Sequence, residues 1–163
     1  MSLLSFCQWL QETDVSTAIR EGALLYPIIG GIHLLAIALF GGMVLASDVR
    51  MLGWGLRHES VTDLIEQFRG WKWLGGLVVA ITGLLLAWCE PIKLYHSPSF
   101  WVKMILFALV GVHAVFFRRS VYRNTEAIDR APGMPPVAKL AAALSLLLWV
   151  GIVLSGRLIA FDS

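Results

Sequence analysis

Long apolar runs alternate with short polar clusters along this chain, and four of the runs approach or exceed the length a membrane crossing needs. A bilayer core about 30 Å thick is spanned by about 20 mostly apolar helical residues. The runs cover about Ala23 to Ala46, Trp73 to Cys89, Pro98 to Phe117 and Val137 to Phe161. Their ends carry helix punctuation. Pro27 suits a first helical turn, where its missing N–H costs nothing, and Ser97-Pro98 is a serine-proline start of the same kind. Glu90-Pro91 stops the second run, and Pro132, Pro135 and Pro136 separate the last two. The pattern predicts an all-α integral membrane protein: a single domain over residues 1–163, built as a four-transmembrane-helix bundle.

Two shorter segments have a different period. Ser60-Val61-Thr62-Asp63 reads as a capping-box start, in which the serine hydroxyl and the Asp63 carboxylate take free N–H groups. Leu64, Ile65, Phe68 and Trp71 follow at helical spacing, which predicts a short amphipathic helix along the membrane face. Leu3, Leu4, Phe6, Trp9 and Leu10 predict another at the start.

Composition agrees with lipid as solvent: 58% of residues are hydrophobic and 15% charged, against about 25% charged in a typical soluble domain. Met1 to Arg20 lacks a basic region followed by an apolar run and a small-residue cleavage site, so it is read as no cleavable signal peptide. The net charge of +2 forms no basic stripe, and nucleic acid is not an expected partner. Its distribution does set an orientation, because basic residues in short connections collect on the cytoplasmic side. Arg50, Arg57, Arg69 and Lys72 flank the first connection, and Arg118, Arg119, Arg123, Arg130 and Lys139 flank the third. Elsewhere stand only Arg20, Lys93, Lys103 and Arg157. Connections one and three are expected in the cytoplasm and both termini outside. Cys7 and Cys89 fall near the outer face, where a disulfide is permitted, but two free thiols are the expectation.

Several phrases occur together: Tyr26-Pro27 before Ile32-His33-Leu34-Leu35, then Phe40-Gly41-Gly42, Asp48-Val49-Arg50 and Leu52-Gly53. Glu90-Pro91 with Lys93 and Tyr95, Phe100 with Lys103, and Ser145 to Trp149 ending in Gly156-Arg157 complete the set. In these the chain resembles an uncharacterised family of bacterial four-span inner-membrane proteins, over most of its length. It departs from that pattern at Gly30, where an acidic residue is common, and at His113, where asparagine is common. The second departure argues against a family-wide role for His113. More remotely, a histidine in the first span followed by Gly-Gly resembles copper-resistance D proteins and small membrane-bound b-type haem proteins. That likeness implies metal or haem chemistry in a bacterial inner membrane.

Ionisable side chains inside a bilayer are expensive and point to function. His33, Lys103 and Arg157 fall at one level in the outer third of the membrane when residues are counted from the span ends, with Glu90 closing the second span there. A lysine, an arginine and a histidine from three helices can converge on an anion such as the propionates of haem b, with His33 as the iron ligand. A quinone-like carbonyl or a substrate carboxylate suits the same groups, and Glu90 could instead neutralise one cation. A second axial ligand would come from His113 or His96. His113 lies ~14 Å deeper than His33 by residue count, too far to share one iron comfortably.

Haem binding with electron transfer, to a quinone or a redox protein, is the expected function. A small transporter for a metal ion or organic anion is the alternative. Copper is one such ion, but Met43, Met51, Met104 and Met134 line no common face. A structural subunit, as a homo-oligomer or part of a larger membrane complex, is the third possibility. The glycines of the spans allow close helix contact for it. No nucleophile with an adjacent base, phosphate loop or carboxylate pair supports hydrolase or transferase chemistry. Beyond these classes, membrane lipid is the one partner the pattern requires.

Overall fold

The computed structural model describes residues 2–162. It is all-α, with eight α-helices and one π turn among the described residues. They are α1 (Leu3–Gln11), α2 (Asp14–Glu21), α3 (Leu25–Leu52), α4 (Val61–Cys89), α5 (Pro91–His96), α6 (Pro98–Phe117), the π turn (Arg118–Tyr122), α7 (Thr125–Arg130) and α8 (Pro136–Leu158). Four of these are long and apolar enough to cross a membrane: α3, α4, α6 with its π continuation, and α8. Their outer faces carry bare apolar side chains, among them Trp73 at 79% exposure and Phe116 at 75%. Such a surface is tolerated where lipid, not water, surrounds it.

The boundaries differ from expectation in one place that matters. The amphipathic segment after Ser60 is no separate surface helix but the first turns of α4, a single helix of 29 residues. Nothing between Val61 and Trp73 breaks the backbone, since the only glycine, Gly70, is tolerated inside a helix at a cost of ~1 kcal/mol. The first span is also longer than its apolar run, continuing through Ser47-Asp48-Val49-Arg50 to Leu52. It ends where Gly53 takes the left-handed conformation at φ 76°, its N–H returning to the Arg50 carbonyl.

Both amphipathic N-terminal helices pack at one end of the bundle. Ser16 and Arg20 donate to the Cys89 carbonyl at the free end of α4, at 3.4 and 3.3 Å, and Trp88 donates to the Thr13 hydroxyl at 2.9 Å. These bonds serve a helix terminus that would otherwise leave its carbonyls unpaired. Cys7 and Cys89 are both free thiols.

Within the bundle α3 packs on α4 and α8, and α8 on α6. Close approach of α3 and α8 depends on Gly41, where an added Cβ would stand 2.3 Å from Nε1 of Trp149. The best-buried apolar cluster, Met51, Val61, Phe117, Val121, Ala138, Ala141 and Ala142 with Ile128, lies at the end holding connections one and three. There Asp129 of α7 closes the N-terminus of α4. Its carboxylate accepts from the Val61 and Thr62 N–H groups at 2.8 and 3.0 Å and from the Ser60 and Thr62 hydroxyls. Ser60 caps Asp63 N–H at 3.0 Å as the capping-box pattern predicts, but the carboxylate at this terminus is Asp129, from a distant part of the chain, rather than Asp63. At the other end Asp162 does the same for α6, accepting from the hydroxyls of Ser97 and Ser99 and from the Ser99 N–H.

Candidate functional site

His33 is buried in the α3–α4 contact. Its Nδ1 lies 2.8 Å from Oγ1 of Thr82, and that hydroxyl is 2.6 Å from the Val78 carbonyl, one turn back on α4. A hydroxyl has a single proton, and the carbonyl can only accept. Thr82 therefore donates to Val78 and accepts from His33, which puts the imidazole proton on Nδ1. Nε2 is left with its lone pair free. Gly83 makes room for the ring: a Cβ there would meet Cε1 at 3.1 Å.

Lys103 of α6 lies along Gly156 of α8, where an added Cβ would be 3.4 Å from Nζ, and within Coulombic reach of His33. The ammonium also sits 5.9 Å from the centroid of Phe107. Arg157 is tied to the same level by register. Gly41 faces Trp149 across the antiparallel α3–α8 pair, so His33, eight residues back along α3, and Arg157, eight residues forward along α8, fall at one level. The Arg157 side chain is exposed, with its guanidinium 5.4 Å from the Phe161 ring. Neither Lys103 nor Arg157 has an ion-pair partner among the described residues.

The other three residues singled out in the sequence are not brought to His33. Glu90 accepts from the Tyr26 hydroxyl at 3.3 Å and pairs with Lys93 at 3.7 Å, so it neutralises neither Lys103 nor Arg157. His96 is exposed on α5, its ring edge-on to Tyr95. His113 points its Nε2 to the Ala141 carbonyl at 2.9 Å, with its ring against Phe117. Ala141 precedes Trp149 by as many residues as His33 precedes Gly41, but on a helix running the other way. His33 and His113 are thus separated by ~24 Å along the bundle at ~1.5 Å per residue, and one iron cannot join them. No cluster of three or more His, Cys, Asp or Glu side chains able to hold a metal ion occurs among the described residues.

Sequence reasoning missed a second polar site. Asp48 of α3 is 2% exposed, and its Oδ2 has no hydrogen-bond partner. Ser145 of α8 and Lys72 of α4 are polar neighbours of the carboxylate, and Tyr122 of the π turn also faces it. Lys72 donates to Ser47, next to Asp48, at 2.9 Å. All four spans meet here. The available signal was an aspartate inside an unbroken helical run, obscured by the polar stretch around it that reads as a span end.

Together these features define a four-span helical membrane protein with two polar sites inside its bundle, His33–Thr82–Lys103 and Asp48–Lys72. Residues 7–162 match a family described as a family of unknown function, DUF6644, and the chain belongs to it. No curated protein and no solved structure matches the chain.

Proposed function

We propose that the protein binds haem b in the outer half of its bundle, with Nε2 of His33 as iron ligand, and passes electrons within a bacterial inner membrane. The observation that carries this reading is the Thr82 hydroxyl, which fixes the Nδ1–H tautomer and turns a free Nε2 lone pair into a ligand of defined orientation. Metal-binding histidines are held in this way by a partner on their other nitrogen. The donor set fits the group: a neutral imidazole for iron, with Lys103 and Arg157 at its level as cations for the two propionates. A bound haem supplies a one-electron iron couple. The chain's own part is to orient the imidazole, compensate the propionate charge and keep water from the ring face packed on Gly83. A quinone or a redox protein is the proposed exchange partner, with the termini on the periplasmic side and a homo-oligomer or larger membrane complex as the setting.

An absorbance spectrum of protein purified from haem-replete cells tests the reading. A Soret band that shifts on reduction is expected, and its absence overturns haem binding. The second reading, a small transporter for an organic anion, is favoured by the two cations without carboxylate partners. It predicts no Soret band and loss of anion binding in Lys103→Ala.

A further inference from the structure

We propose that Asp48 is an intramembrane proton-exchange site in which the carboxyl trades its proton for the ammonium of Lys72. The inference is independent of what binds at His33, which stands fifteen residues away on the same helix, ~22 Å at ~1.5 Å per residue.

The geometry has three parts. First, the carboxylate is buried and its Oδ2 meets no donor. An ionised oxygen so placed is costly, and a proton on it removes most of that cost. Second, a cation is close but used elsewhere. Lys72 gives its hydrogen bond to Ser47 Oγ at 2.9 Å, and Asp48 forms no ion pair among the described residues. Because Ser47 and Asp48 are adjacent, a rotation of the four-carbon lysine stem transfers the ammonium from one to the other. Third, no other charged group among the described residues acts on the carboxyl. From α8 the carboxyl meets Ser145, and from the π turn after α6 it meets Tyr122, whose ring is 6.2 Å from that of His113. Arg50, on the same helix as Asp48, is directed instead to the Glu59 carbonyl. Among the described residues, Lys72 is the cation placed to answer ionisation.

The exchange balances simply. The O–H bond of the Asp48 acid breaks, and the proton leaves to water at the end of the bundle holding connections one and three. The ammonium of Lys72 then moves from Ser47 to the carboxylate it leaves behind. Return of a proton reverses both movements. The π turn, a form common at functional sites, supplies the Tyr122 face of this chamber.

The test uses the full-length protein in lipid nanodiscs and a hydrophobic carbodiimide, which modifies protonated carboxyls, with modification mapped by mass spectrometry. Asp48 is expected to react several-fold more than the exposed Asp63 and Asp129, with labelling falling about tenfold per pH unit once the acid becomes the minor form. In Lys72→Gln the ammonium is gone, so labelling at a given alkaline pH should rise. Infrared spectra of the wild type should show an isotope-sensitive carboxylic C=O band that Asp48→Asn removes. The wild-type labelling decides even if Asp48→Asn fails to fold. No modification of Asp48 at any pH at which the protein remains folded overturns the proposal, as does a labelling profile that Lys72→Gln leaves unchanged.

Discussion

His33 and Thr82 form a hydrogen bond whose direction is set one turn back along α4, where the Val78 carbonyl takes the only proton the threonine hydroxyl has. The imidazole is thereby held as its Nδ1–H tautomer with Nε2 available. Thr82→Val keeps the volume and removes the acceptor. It should weaken haem retention about 10- to 100-fold, the usual cost of losing a partner behind a metal ligand, while Thr82→Ser should retain most of it. Haem content after dilution in detergent measures the difference. Equal retention in Thr82→Val and wild type would show that the ring needs no such orientation.

Gly41 and Trp149 bring α3 and α8 into contact, and the contact has no room for a methyl group, since a Cβ on Gly41 would stand 2.3 Å from the indole nitrogen. Phe40 holds the indole edge-on at 5.3 Å, so it cannot simply swing away. Gly41→Ala should cost about 1–3 kcal/mol, the range for overpacking a core, seen as a lower midpoint of thermal unfolding in detergent. Gly42→Ala, with open space at its Cβ, should leave the midpoint within experimental error.

Asp129 joins α7 to the start of α4 and makes stability depend on pH. Burial pushes its carboxyl up, but hydrogen bonds from the Thr62 N–H and hydroxyl, the Val61 N–H and the Ser60 hydroxyl outweigh that and hold it below the usual range. Asp162 is likewise held low, first by the Ser97 hydroxyl. For a carboxyl lower in the folded state than the unfolded, the contribution is full above the unfolded value of about 4 and is lost as pH falls through the folded value. Asp129→Ala should therefore lower stability by about 1 kcal/mol at neutral pH, the usual worth of a helix N-cap. It should also flatten the acid limb of a pH–stability curve, and an unchanged limb would remove Asp129 from this role.

How far these features were legible in the sequence follows from the range of each interaction. The four spans could be read because twenty apolar residues in a row need no partner to identify them. Placing His33, Lys103 and Arg157 at one level needed only the helical rise. Asp48 was different: one aspartate beside an arginine looks like a span end until helix α3 is known to continue to Leu52. Its importance comes from Lys72, Tyr122 and Ser145, which only packing brings to it. The same holds for Asp129, which replaces the Asp63 carboxylate of the apparent capping box from a different helix, α7. The merged α4 could not be seen because the polar positions of its first turns match a surface helix as well as a span that extends past the lipid.

Orientation can be checked with single cysteines at Asn124 and His96, both exposed, in a background lacking Cys7 and Cys89. Nine basic residues flank connections one and three and four lie elsewhere, so an impermeant thiol reagent applied to intact cells should modify the cysteine at position 96 and spare that at position 124. The opposite labelling would place both termini in the cytoplasm.

Comparison of haem content in His33→Ala and His113→Ala, each purified from haem-replete cells beside the wild type, decides whether His33 is the iron ligand. The ~24 Å between the two rings along the bundle and the hydrogen bond of His113 to the Ala141 carbonyl predict that the first variant loses its Soret band and the second keeps most of it. A wild type without the band would rule out haem binding, and a His33→Ala protein that retains it would remove His33 as the ligand.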